Sequence, residues 1–139
     1  MDEIDVVVGI IRDADGRVLV NQRLPGTHME GFWEFPGGKR RADEDRETAL
    51  ARELKEELGI DVLRAEPLLR LRHDYPERTV HLDVWTILDY SGAPHSREGQ
   101  DIDWVDPDLL KERGLLPADR PIVAKLVEAH DGTAGEGGG

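Results

Sequence analysis

The chain has 139 residues, 35% of them charged, no cysteine and a formal net charge of −12. That length fits one domain with its own core, and the lack of thiols excludes a disulfide framework, a cysteine zinc site and a thiol nucleophile. The acidity argues against a nucleic-acid polymer or an anionic membrane as partner, because both want a basic face, and no apolar run approaches the ~20 residues of a membrane span.

The start, MDEIDVVV, is acidic and lacks the basic first region of a secretory signal, so a cytoplasmic protein is expected. Residues 4–12 (IDVVVGIIR) predict a strand, DADG (13–16) a turn and RVLVNQR (17–23) a returning strand, together a hairpin. Residues 24–32 form a loop, and WEFPGGKRRADED (33–45) reads as a short strand entering another. A helix is expected over 46–58, with Asp45 as N-cap, Gly59 just past its end and Leu50, Leu54 and Leu58 as its buried stripe. Strands follow at 66–75, 79–89 and 102–105. A short helix is expected at 107–113, and a last one over 120–130 carries Ile122, Val123, Leu126 and Val127 at helical spacing. The chain divides into one domain over 1–131 and a flexible Gly-rich tail over 132–139. Strands interleaved with helices make the fold class α/β, with strand order undetermined.

The informative segment is GKRRADEDRETALARELKEELGI, residues 38–60. Glu53, Glu56 and Glu57 stand at i, i+3 and i+4 on one helix face, beside the leucine stripe. Like charges at these spacings repel, and the last turn of a helix prefers cations. A cation held by the three carboxylates would offset both penalties. Clustered glutamates alone describe a solvated acidic face; the wider pattern decides otherwise. Gly38, Glu44, Arg52-Glu53-Leu54, Glu56-Glu57 and Gly59-Ile60 fill every position of G-x5-E-x7-R-E-U-x-E-E-x-G-U, with U aliphatic. Chance would produce this on the order of once in 10⁷ chains of this length.

The segment resembles the Nudix box, and the chain is similar to the MutT-like branch of that family through VVVGIIR, His28-Met29, EFPGGK (34–39), HDYPER (73–78), EGQ (98–100) and PADRPIVAKL (117–126). The resemblance implies a Nudix fold, a mixed β-sheet sandwiched between α-helices. It implies hydrolysis of a nucleoside triphosphate to a monophosphate and pyrophosphate, with water attacking the β-phosphorus, by a monomer dependent on Mg²⁺ or its substitute Mn²⁺. These cations suit oxygen-only ligands. By resemblance Glu53, Glu56, Glu57, Glu98 and the Gly37 carbonyl hold metal. Glu53 is the first choice for general base and Glu98 the second. Arg52 orients Glu53, Glu44 supports the loop or metal shell, and Lys39 holds the departing phosphates. Arg41 and Asp43 depart from the usual acid and glycine, and Asp43 is expected to tolerate the left-handed backbone a glycine would adopt.

The same resemblance assigns the nucleotide pocket to Arg23, His28, Phe35, Arg78 and position 119, lined by Ile4, Val6 and Val80. Position 119 is Asn in the MutT type and Asp119 here. Asn offers one donor and one acceptor, matching O6 and N7–H of 8-oxoguanine. An ionised Asp only accepts, which suits a cytosine amino group, whereas a buried Asp can stay protonated and keep a donor. Asp119 also has a structural reading as the cap of the last helix. The expected substrate is 8-oxo-dGTP, a nucleotide-pool sanitising role. The alternatives are a CTP- or dCTP-type pyrophosphohydrolase and, more remotely, a non-catalytic nucleotide-sensing module.

Overall fold

A computed structural model describes residues 2–138, with side chains described only through Ala129; Met1, Gly139 and the side chains of the tail expected over 132–139 lie outside the described residues. Strands β1 (Asp2–Ile10), β2 (Val18–Gln22), β3 (Trp33–Glu34) and β4 (Gly37–Lys39) precede helix α1 (Arg46–Leu58). The long hairpin β5 (Asp61–Tyr75) and β6 (Arg78–Ser91) follows, then β7 (Ile102–Val105), two 3₁₀ turns (Pro107–Glu112 and Pro117–Asp119) and α2 (Arg120–Gly138). The strands form a four-stranded mixed sheet, β4-β1-β6-β5, and a three-stranded antiparallel sheet, β3-β2-β7.

The hairpin expected from residues 4–23 forms only at its tip. Asp13 N–H donates to Arg17 O and Leu19 N–H to Ile11 O, both at 3.0 Å. Beyond that tip the strands part. β1 pairs along its whole length with parallel β6, while β2 joins β3 and β7. Composition identifies a strand but not its partner, and β6 offers β1 a longer ladder than the turn does. The β5–β6 pair is longer than expected. Its register shifts between residues 62 and 69, a stretch containing Pro67, which has no N–H for a ladder.

Both faces of the sheets are buried, each against its own core. Val8, Ile10, Val18, Val20 and Val84 pack with Ile122, Val123 and Leu126 of α2. Val7, Ile11, Leu19, Trp85 and Ile87 pack with Ala49, Leu50, Leu54 and Leu58 of α1. Successive residues on each strand thus serve opposite cores, and the helices flank the sheets as expected. Asp45 caps α1, its carboxylate accepting from Thr48 N–H at 2.8 Å, and Gly59 closes it at φ 71°. Arg46 anchors its first turn, donating to both carboxylate oxygens of Asp83 and standing 4.9 Å over the Trp85 ring. No helix of the described residues is long and apolar enough to cross a membrane.

Leu54 is wholly buried in the centre of the α1 stripe. Leu54→Ala is expected to cost about 2–5 kcal/mol of stability, through lost burial plus the cavity left behind. Urea unfolding followed by circular dichroism measures it as a lower midpoint at unchanged slope.

Candidate active site

The glutamates of α1 are organised by Arg52. Its Nε donates to Glu44 Oε2 at 3.0 Å and its Nη2 to Glu44 Oε1, a bidentate pair. The same Nη2 reaches Lys39 O at 3.0 Å, while Nη1 reaches Glu53 Oε1 at 2.9 Å and Glu56 Oε2 at 3.3 Å. Arg52 therefore joins the loop before α1 to two of its carboxylates. Glu44 also accepts from Arg41 N–H at 2.8 Å. The Arg52 hydrogen bond, with that backbone donor, lowers the Glu44 pKa to about 2. Arg41 thus serves the loop through its backbone. Asp43 needs no left-handed conformation, because Met29 (φ 56°) is the only non-glycine with positive φ among the described residues.

The glycine pair makes room for this chemistry. A Cβ at Gly38 would stand 2.3 Å from Glu53 Oε2, and one at Gly37 would stand 2.0 Å from Val7 O. Any side chain at Gly38 would displace the Glu53 carboxylate. Gly37 N–H instead donates to Glu57 Oε2 at 3.0 Å, tying β4 to the last turn of α1.

Glu57 faces a small cleft together with Asn21, Arg23, Glu34, Glu98 and Gln100. Burial pushes its pKa up to about 9, with the charges of Glu34, Glu53 and Glu98 adding to the rise and the Gly37 hydrogen bond opposing it. Burial also raises Glu53, against its contacts with Arg52. Glu98 lies in the exposed loop before β7, and its N–H donates to Gln100 Oε1 at 3.0 Å. Gln100 in turn donates to Glu57 O at 3.3 Å, holding that loop against α1. Asn21 is buried on β2, and its Oδ1 has no hydrogen-bond partner.

This donor set consists of oxygens alone. Its carboxylates repel one another at the cleft, which fits a hard divalent cation. Glu53, Glu57 and Glu98 could hold one. Glu56 is exposed and drawn to Arg52, and Gly37 approaches Glu57 through its N–H. Among the described residues no three acidic or histidine side chains are already gathered at a metal-holding distance.

A second, mostly apolar cavity adjoins the first across Arg23 and Glu34, which line both. Its walls bring together every residue expected of a nucleotide pocket: Arg23, His28, Phe35, Arg78 and Asp119, with Ile4, Val6 and Val80; Gly37, Gly38 and Lys39 form its edge. Arg23 donates to Glu34 Oε2 at 2.9 Å and to His28 O. Asp119, 4% exposed, accepts from Phe35 N–H at 3.2 Å through Oδ2, so its carboxyl is turned into the pocket and not onto the helix that follows. Burial, reinforced by the charge of Glu34, raises its pKa to about 8.

Two polar lining residues, Glu34 and Tyr75, had no place in the expected pocket. Glu34 sits beside Phe35 and pairs with Arg23. Tyr75 closes one wall, with its hydroxyl accepting from Ala118 N–H at 3.3 Å and its ring edge-on to His28 at 5.8 Å. Both lie within stretches that carry the family resemblance, EFPGGK and HDYPER. The tyrosine's aromatic and polar character is the signal that could have found it.

Comparison with known proteins gives the family and the fold. The family model of the NUDIX domain matches residues 7–125. An 8-oxo-dGTP diphosphatase of Haemophilus influenzae is 38% identical over 129 residues, covering 92% of this chain and 95% of that protein. A CTP pyrophosphohydrolase of Escherichia coli K12 is 37% identical over 123 residues, covering 88% and 90%. A solved structure from work on MutT of Aliivibrio salmonicida and Vibrio cholerae has a TM-score of 0.80 at 34% identity, over 92% of this chain and 99% of that one. Overall identity does not separate the two activities.

The buried Asp119 carboxyl links stability to pH. Its folded pKa of about 8 stands above the ordinary 3.8. Its proton-linked stability is therefore complete below the unfolded value and lost as pH rises through the folded one. Asp119→Asn does not titrate, so the variant should gain on the wild type by roughly 1 kcal/mol per pH unit inside that window. Melting temperatures of both proteins at about pH 5 and about pH 8 check the sign.

Proposed function

Because the chain belongs to the Nudix family, we propose that it is a Mg²⁺-dependent nucleoside triphosphate pyrophosphohydrolase whose preferred substrate is 8-oxo-dGTP, released as 8-oxo-dGMP and pyrophosphate. The observation that carries this reading is the adjacency of the two cavities across Arg23 and Glu34. A base in the apolar cavity directs its phosphates past Lys39 toward the carboxylates of α1. The relatives named as 8-oxo-dGTP diphosphatases support the substrate class. The partner is a small nucleotide.

Glu53, Glu57 and Glu98 are the side chains proposed to hold the cation, with Glu56 and the Gly37 carbonyl completing the set by family resemblance. Enzymes of the family generally use divalent cations. When bound, such an ion neutralises phosphate oxygens and lowers the pKa of the attacking water. The remaining work belongs to the chain. Glu53 is the proposed general base. Arg52 fixes one of its oxygens, and burial raises its basicity toward the working pH. Water attacks the β-phosphorus and gives its proton to Glu53. The bond from that phosphorus to the oxygen bridging to the α-phosphorus breaks, and the monophosphate leaves with that oxygen. Lys39 stands at the pocket edge as a point charge for the pyrophosphate.

Asp119 is proposed to read the base. With a pKa near 8 it is largely protonated at neutral pH, so it offers one donor and one acceptor, the pair that Asn supplies. That pair matches O6 and N7–H of 8-oxoguanine. The second reading, a CTP-type enzyme, draws on the relative of that name and on the ionised form of Asp119, which accepts from a cytosine amino group.

Steady-state kinetics with 8-oxo-dGTP, dGTP and CTP test the assignment. The kcat/KM for 8-oxo-dGTP should exceed that for dGTP, and equality of the two would remove the sanitising role. The ratio of 8-oxo-dGTP to CTP turnover should fall as pH rises through about 8, where Asp119 loses its donor. Glu53→Gln should lower kcat by about 10²–10⁴. A loss under tenfold, with a larger one in Glu98→Gln, would transfer the base role to Glu98.

A further inference from the structure

Asn21 stands with two other neutral amides, Gln22 and Gln100, in a cleft that also holds Arg23 and the carboxyls of Glu34, Glu57 and Glu98. It lies on β2, where alternation turns its side chain to the same side as Leu19, toward α1. It is 5% exposed, shares the cleft with Glu57, Glu98 and Gln100, and its Oδ1 lacks a donor. Gln100 Nε2, the amide nitrogen of the same cleft, gives one of its two hydrogens to Glu57 O and none to Asn21. Arg23 is likewise directed to Glu34 and His28. A buried acceptor left in this state is costly, so a residue kept there calls for a donor that the polypeptide does not supply. A hydrated divalent cation supplies one, because Mg²⁺ dehydrates reluctantly and keeps several waters whose hydrogens point outward.

Resting on the metal reading of the cleft, we propose that Asn21 is a positioning residue for the cation, its Oδ1 accepting a hydrogen bond from a water of the ion's hydration shell. A neutral acceptor suits this position. It orients a coordinated water without adding another charge beside Glu57, Glu98 and Glu34.

The test is Mn²⁺ binding to the nucleotide-free full chain, followed by the electron paramagnetic resonance signal of free Mn²⁺, alongside melting temperatures with and without Mg²⁺. Asn21→Leu keeps the side-chain size and removes the amide. It should weaken Mn²⁺ binding by about tenfold and shrink the Mg²⁺-induced rise in melting temperature, while the metal-free protein melts no lower than wild type because the unpaired acceptor is gone. Asn21→Asp restores an oxygen and should bind Mn²⁺ at least as tightly as wild type. A purely structural amide predicts the reverse: a lower metal-free melting temperature in Asn21→Leu with unchanged Mn²⁺ affinity. That result overturns the inference, as does equal weakening in both variants. Should Asn21→Leu fail to fold, the Asn21→Asp comparison alone decides, since weaker binding there contradicts the proposal. A wild-type chain that binds no Mn²⁺ overturns the metal reading of the cleft itself, separately from the role of Asn21.

Discussion

The acidic half of the site depends on one guanidinium. Arg52 spends two nitrogens on Glu44, which lies outside the helix, and holds Glu53 and Glu56 with the third. Without that cation, neighbouring glutamates on one helix face would swing apart under their own repulsion. The bidentate geometry matters as much as the charge, because a lysine supplies a single point and no fixed plane. Glu44, whose position in the motif is eight residues ahead of Arg52, completes the arrangement by fixing Arg52 to the preceding loop.

Burial then divides the carboxyls by task. Glu44 is held ionised by its partners, while Glu57 and Asp119 are pushed toward their protonated forms at two separate walls. Groups with identical chemistry thus acquire different acidities from their surroundings. In the proposed reading, the raised group near α1 becomes a ligand when a cation replaces its proton, and the raised group beside Phe35 keeps its proton and uses it to read a base. The same fold applies one electrostatic device to two purposes, separated by the Arg23–Glu34 pair.

Much of this was legible in the sequence where the determinants are local. Helix α1 was bounded by its cap and its glycine, and the leucine stripe marked its buried face. The spacing of Gly38, Glu44, Arg52, Glu53, Glu56 and Glu57 pointed to the family, and the residues that the resemblance assigned to a pocket line one cavity. What escaped was pairing over distance. The parting of β1 and β2 into different sheets depends on which strand offers the longer ladder, a property of partners far along the chain. The roles of Glu34 and Tyr75 depend on what faces them, Arg23 and the Ala118 N–H, which no periodicity encodes. The orientation of Asp119 toward Phe35 was equally invisible, since a capping residue and a pocket residue look alike before α2.

The Phe35–Asp119 hydrogen bond spans 84 positions of the chain. The cap and the glycine that bound the acidic helix lie within residues 45–59, whereas the carboxyl proposed to read the base enters the pocket from the second 3₁₀ turn, beside Tyr75. In the proposed reading, the helix carboxyls that hold the cation and the carboxyl that reads the base thus come from widely separated parts of the sequence. On that reading, base selectivity is therefore a long-range property of the chain, while the motif of the acidic helix is a local one.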